Sequence, residues 1–297
     1  MKPKILSFGE ILWDVINDQE YIGGAPFNLA AHLAKLNSTS YLVSRVGDDR
    51  RGKKAVKEVE NLGVKKKLIQ KDDNHPTGWV DVTLDEDGSP SYILHEDVAY
   101  DFVEYNDKIE KMLNEQIFDV FCFGTLGQRN ETSRRTLNKI LDNIDSKEIF
   151  LDINLRKQYF NENIIRDSLE SATILKLNDE EVIVLAELLF NRKMPEKEFV
   201  NIISQRFELP LICITKGEKG CSVFYDQKLK HITAVEVEVA DTVGAGDGFS
   251  AGFLYHICQH NDPFTSAHHG NYLGAYVASR DGAIPEYNQK IREYMGL

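Results

Sequence analysis

The chain has 297 residues, 42% of them hydrophobic, which is enough for a sizeable core in either two ordinary domains or one large α/β domain. A formal net charge of −12 argues against general attraction to nucleic-acid phosphate, but leaves room for a small phosphorylated ligand held by a few local groups. Four cysteines without C-x-x-C spacing argue against a zinc site or a disulfide framework and fit reduced thiols in the cytoplasm.

Glu10 and Asp14 interrupt the first apolar run too early for a signal peptide, and no apolar stretch approaches the roughly 18 residues of a membrane span. Short apolar segments at 5–9, 41–46, 118–123, 149–153, 173–177 and 211–215 read as buried strands. Helical patterns alternate with them at 25–36, 52–62, 132–141, 179–190, 196–207, 247–259 and 263–279. This rhythm predicts an α/β fold, a mostly parallel sheet with helices on both faces, whose ligands bind at the carboxyl ends of the strands. The period-two run 78–84, a turn cluster at 85–90 and a second extended run at 91–95 read as a hairpin. With the extended piece 13–22 it makes either a small sheet beside the main one, a candidate lid, or an antiparallel addition to the main sheet.

The junctions carry the chemistry. Asp14 lies near a strand end, where it reads either as a ligand contact or as a capping or surface carboxylate. In Gly23-Gly24-Ala25-Pro26-Phe27-Asn28, two glycines allow close approach, Pro26 suits a first helical turn, and Asn28 offers a donor and an acceptor suited to vicinal hydroxyls. A plain tight turn is the alternative. Val46-Gly47-Asp48-Asp49 ends a strand, and Asp48 or Asp49 reads as the cap of the next helix. Asp152-Ile153-Asn154-Leu155-Arg156 ends another strand, with Arg156 reaching a phosphate or sugar, or else paired with Asp152.

Asn178 and Glu181, three apart, share the first turn of a helix. They read either as oxygen ligands suited to Mg²⁺ or as a capping box. Thr215-Lys216-Gly217-Glu218-Lys219-Gly220 reads as a phosphate loop or as an ordinary turn.

The most informative stretch is Asp241-Thr242-Val243-Gly244-Ala245-Gly246-Asp247. Small residues before an apolar helical run expose helix N–H groups and the positive end of the helix dipole to an anion. Asp247 is misplaced in a bare phosphate cradle. It makes sense as a base taking the proton of a hydroxyl that attacks the phosphate. A dinucleotide fold would need G-x-G-x-x-G after the first strand, which Gly9-Glu10-Ile11-Leu12 does not supply.

In this order the motifs 23–28, 46–49, 176–181, 215–220 and 241–247 resemble the ribokinase-like (PfkB) carbohydrate kinases from end to end, and the fructokinase branch most. The resemblance implies one three-layer α/β/α domain over 1–297, with a β lid formed by about 13–24 and 76–97. It implies ATP-dependent transfer of a phosphoryl group to a small sugar, fructose first, with ribose, 2-keto-3-deoxygluconate or a nucleoside as other acceptors in the family. A non-catalytic sugar or nucleotide sensor is the rival from another class, and it predicts a broken motif. By resemblance Asp247 is the base, and Gly244, Ala245 and Gly246 form the anion hole. Asp14, Gly23, Gly24, Asn28 and Arg156 hold the sugar, while Asn178, Thr215, Gly217 and Gly220 meet ATP. Asn178 and Glu181 organise Mg²⁺ through water, and Asp241, Val243, Ser279 and Gly282 surround K⁺, with Val243 standing where many members have Thr. A homodimer through the lid is implied as well. Trp79, Tyr92, Glu96 and Tyr100 are candidates for choosing the acceptor.

Overall fold

The computed structural model describes residues 2–84 and 90–297. Its strands are β1 Lys4–Phe8, β2 Leu12–Ile16, β3 Gln19–Gly23, β4 Thr39–Gly47, β5 Ile69–Asp72, β6 Gly78–Leu84, β7 Pro90–Leu94, β8 Phe118–Gly124, β9 Ser146–Asp152, β10 Ile174–Asn178, β11 Leu211–Thr215, β12 Cys221–Tyr225 and β13 Lys228–Ile232. Its helices are α1 Ala25–Lys35, α2 Arg50–Asn61, α3 Asp107–Glu115, α4 Glu131–Asn143, α5 Glu162–Ser171, α6 Asp179–Phe190, α7 Glu196–Arg206, α8 Ala245–His260, α9 Pro263–Ala278 and α10 Gln289–Tyr294.

Nine strands form the main sheet in the order β13-β12-β11-β10-β9-β8-β1-β4-β5. It is parallel from β5 to β11, and β12 and β13 are added antiparallel at one edge. Alternate residues of each strand enter two different cores, as a sheet covered on both faces requires. Leu175, Leu177, Ile212 and Ile214 pack with Val182 and Leu185 of α6 and Phe199 and Ile203 of α7. Ile174, Phe150 and Cys213 pack on the other face with Leu29 and Leu33 of α1, Phe249 and Phe253 of α8 and Leu273 of α9. Register then decides which polar residues look toward α8. Asp152 of β9 lies opposite Lys176 of β10, and Asn178 opposite Thr215, at the carboxyl ends of their strands.

The smaller sheet has the order β3-β2-β6-β7. The segment read as a single extended piece over 13–22 is two strands, turned at Asn17 and Asp18. Both of these adopt positive φ (49° and 62°), as a two-residue hairpin turn demands. β2 pairs parallel with β6, so the 78–95 hairpin joins this sheet and does not extend the main one. The turn expected at 85–90 falls mostly on 85–89, outside the described residues. Leu12, Val80, Val98 and Tyr100 form a core beneath the sheet, while Tyr21, Tyr92 and Ile93 are about half exposed.

Asp49 caps α2, accepting from the Gly52 N–H at 2.7 Å, and its other oxygen holds the Thr77 N–H at 2.7 Å, so one carboxylate ties α2 to the entry of β6. Asp48 points outward to Lys71. No helix among the described residues is long and apolar enough to cross a membrane. The cysteines Cys122, Cys213, Cys221 and Cys258 are free.

Candidate active site

The helices α1, α6 and α8 begin at the carboxyl edge of the main sheet. α8 starts at Gly244, whose φ of 77° suits glycine, and a Cβ there would lie 2.7 Å from atoms of Ala283. No side chain among the described residues caps this helix. Ala245 donates to the Thr242 carbonyl, while the N–H groups of Gly246 and Asp247 find no partner among the described residues. A Cβ on Gly246 would meet only the Lys176 ammonium, at 3.5 Å, so packing does not require glycine there. The helix end is left open, with its donors and dipole available to an anion.

Asp247 occupies the first turn of α8, and its Oδ2 accepts from Asn28 Nδ2 at 2.8 Å. Burial raises its carboxyl. The Asn28 hydrogen bond opposes that, Asp152 adds to it, and Lys176 and Arg156 oppose it, leaving Asp247 at about 7. A carboxylate poised there can take a proton near neutral pH. Asn28 is buried in α1, and its Oδ1 has no partner among the described residues.

Asp14, on β2, is pushed up to about 6 by burial, with Arg156 acting against the shift. Gly23 makes room for it, since a Cβ would lie 2.7 Å from Asp14 Oδ2. Gly24 lies against the Glu10 backbone, where a Cβ would meet the carbonyl oxygen at 2.5 Å. Arg156 follows β9, is exposed, and makes no hydrogen bond or ion pair among the described residues, yet it acts electrostatically on Glu10, Asp14 and Asp247. The alternative pairing of Arg156 with Asp152 is not formed. Asp152 instead binds Lys176 Nζ through both oxygens, at 3.0 and 2.8 Å.

Glu10, Lys176 and Ser250 join the site without having stood out in sequence. Glu10 Oε1 accepts the Ala25 N–H at the start of α1 at 3.2 Å. Ser250 Oγ donates to Asp152 Oδ2 at 3.3 Å and Gly246 O at 3.0 Å. The available signal was a lysine inside an otherwise apolar strand. Glu10, Ala25, Pro26, Gly124, Asp152 and Asn154 line a cleft between α1 and the ends of β8 and β9.

Asn178 and Glu181 form a full capping box: Asn178 Oδ1 accepts the Glu181 N–H at 2.8 Å, and Glu181 Oε2 accepts the Asn178 N–H at 2.7 Å. Glu181 Oε1 takes the Leu155 N–H as well, at 2.8 Å, so both carboxylate oxygens are engaged. Among the described residues no group of three or more His, Cys, Asp or Glu is placed to hold a metal ion. This donor set fits an ion that keeps its waters and leans on phosphate oxygens, as Mg²⁺ does, and not direct chelation by the protein.

Thr215 and Gly217 stand at the end of β11, and a Cβ on Gly217 would meet nothing. Gly220 faces inward, where a Cβ would strike the Ile232 carbonyl at 2.1 Å, so its smallness serves strand packing. Lys216 is held by Glu196 at 2.6 Å and Ser222 at 2.7 Å. Asp241 accepts from the Val243 N–H at 2.9 Å and the Gly282 N–H at 3.2 Å, which brings the 279–282 loop beside the start of α8. Ser279 Oγ donates to the Tyr276 carbonyl. On the smaller sheet Trp79 stacks on His95, with ring centroids 4.0 Å apart.

Residues 2–290 match the family described as pfkB family carbohydrate kinase. An uncharacterized sugar kinase of Pyrococcus horikoshii, PH1459, is 31% identical over 268 residues, covering 84% of this chain and 81% of that protein. Its structure in complex with ATP aligns with a TM-score of 0.78 and 27% identity, over 94% of this chain and 93% of that one. A fructokinase of Escherichia coli is 26% identical over 86% of this chain and 84% of its own length. A fructokinase of Vibrio cholerae O395 with fructose, ADP and calcium bound shares the fold, with a TM-score of 0.84 at 21% identity over 99% of this chain and 98% of that one. This chain belongs to the PfkB family of carbohydrate kinases.

Proposed function

We propose that this sugar kinase transfers the γ-phosphoryl group of ATP to a hydroxyl of fructose, with Asp247 as the base. The observation that carries the reading is the Asn28–Asp247 hydrogen bond at the uncapped start of α8, which places a carboxylate of raised proton affinity beside unpaired helix N–H groups.

In this reading the sugar lies against Asp14, Gly23, Gly24 and Asn28, with Arg156 at its rim. The free Asn28 Oδ1 accepts from a second hydroxyl. The nucleotide runs past Asn178, Thr215 and Gly217, with Gly220, expected there too, packed behind them against Ile232. Asp247 takes the hydroxyl proton as the sugar oxygen bonds to the γ-phosphorus and the bond to the bridging oxygen of ADP breaks. The N–H groups of Gly244 and Gly246 face the charge on the transferring group, and Ala245 would turn its N–H from the Thr242 carbonyl to join them. Magnesium, when bound with ATP, neutralises and orients the phosphates, and Asn178 and Glu181 would hold it through water. Asp241, Val243, Ser279 and Gly282 would hold a potassium ion, whose charge would favour the anion hole. The smaller sheet acts as a lid that excludes competing water. Two copies would pair through this sheet, where Tyr21 and Tyr92 lie half exposed on one face and Ile93 on the other. Four free cysteines fit a protein working in the cytoplasm.

Fructokinases among the relatives support fructose as first acceptor. The test is ADP release with fructose, ribose, 2-keto-3-deoxygluconate and adenosine, with and without K⁺. Fructose should give the highest kcat/KM. Preference for another acceptor would replace fructose, and no turnover on any would favour a sensor or an acceptor outside these four.

A further inference from the structure

A buried lysine lies under the open end of α8, and nothing in the proposed chemistry yet uses it. Lys176 is 7% exposed near the end of β10, and its register opposite Asp152 turns both side chains to the α8 face of the sheet. Its ammonium donates to both Asp152 oxygens and lies 3.5 Å from where a Gly246 Cβ would stand. We propose that Lys176 is a positioning residue for phosphoryl transfer. Held by Asp152, it fixes a positive charge on the floor of the anion hole and sets the charge balance in which Asp247 works.

The surroundings leave little else for that task. Three carboxylates look onto the ammonium: Asp152 from β9, Glu181 from α6 and Asp247 from α8. Asn28 of α1 is neutral, Ser250 of α8 adds only a hydroxyl, and Arg156 is exposed beyond the strand end. Burial works against the charge of Lys176, but Asp152, then Glu181 and Asp247, outweigh it and hold the amine above the usual lysine value. Asp152 and Lys176 act on Asp247 with opposite sign, Asp152 raising and Lys176 lowering its proton affinity. Any buried ammonium needs such partners, but apolar side chains of similar volume would replace the pair at little cost, so packing alone does not call for it.

The inference rests on Asp247 being the base, and the test separates the two. The pH dependence of kcat/KM is measured for the wild type, Lys176→Met, Asp152→Asn, Lys176→Arg and Asp247→Asn. Loss of Lys176 should move the acidic limb up by about one pH unit, and loss of the Asp152 charge should move it down by about as much. Lys176→Arg should keep the limb near its wild-type position. Limbs that coincide, or that move the same way, would overturn the proposal while an inactive Asp247→Asn left the base intact. Retained turnover in Asp247→Asn would overturn both. Where a single variant does not fold, Lys176→Met/Asp152→Leu, which leaves no unpaired charge, decides. A limb near the wild-type position with kcat lowered at least about ten-fold supports a charge acting on the phosphoryl group, and wild-type kcat contradicts it.

Discussion

Helices α6 and α8 begin at the same edge of the sheet and end their chains of peptide dipoles in opposite ways. α6 is closed by its own side chains: Asn178 and Glu181 satisfy each other's N–H groups, and Glu181 also holds Leu155. α8 has no side-chain cap, a glycine at its entrance and unpaired donors. Gly246 is exposed, so water can serve its donor until a bound anion displaces it. The difference shows where the molecule keeps binding capacity in reserve. The closed helix supplies a rigid frame, and the open one leaves donors for the proposed anion site, with the raised carboxylate beside them.

The sharpest way to break this comparison is Asp247→Asn. It should lower kcat by about 10²–10⁴-fold, the range for loss of a general base, with ATP affinity retained in a binding titration. In the wild type the same group predicts a fall in kcat/KM as pH drops through about 7. Gly244→Ala comes next. A Cβ at φ 77° would push against Ala283, so chemical denaturation should show a loss of about 1–3 kcal/mol. On the closed helix, Asn178→Ala should cost about 1 kcal/mol of stability in the same assay, from the lost cap.

The smallest effect concerns pH. The Asp247 carboxyl holds its proton more tightly folded, at about 7, than unfolded, at 3.8. Its stabilising contribution is therefore full below about pH 4 and lost as pH rises through 7. Asp247→Asn should melt about 2–4 °C above the wild type at pH 8, with the gain shrinking towards pH 5, by calorimetry.

Where local chemistry decides an element, the sequence displays it. Helix α6 spans Asp179–Phe190 as expected, because Asn178 caps its start and Asn191 closes its end with φ 53°. Helices α3 and α5 leave little sequence signal because they are short and charged and bury only three or four residues each, although Asn106 and Asn161 cap them. The site divides in the same way. The Gly23–Asn28 and Asp241–Asp247 junctions carry their chemistry within a few consecutive residues. Lys176 meets Asp152 only because β9 and β10 pair in one register, and strand register is a long-range property. Arg156 looked like a local partner for Asp152, but it stands beyond the end of β9, while Lys176 shares its face of the sheet.

The central claim is that α8 is left open for a transferring phosphoryl group, and Gly246→Ala tests it most directly. The added methyl meets only the Lys176 ammonium at an ordinary contact distance, and alanine suits a helix better than glycine. Melting temperature and kcat are measured together on the one variant. The account predicts an unchanged or slightly higher melting temperature with kcat lowered about 10²-fold or more, because the methyl fills the space an anion must enter. A well-folded Gly246→Ala enzyme with wild-type kcat would contradict it.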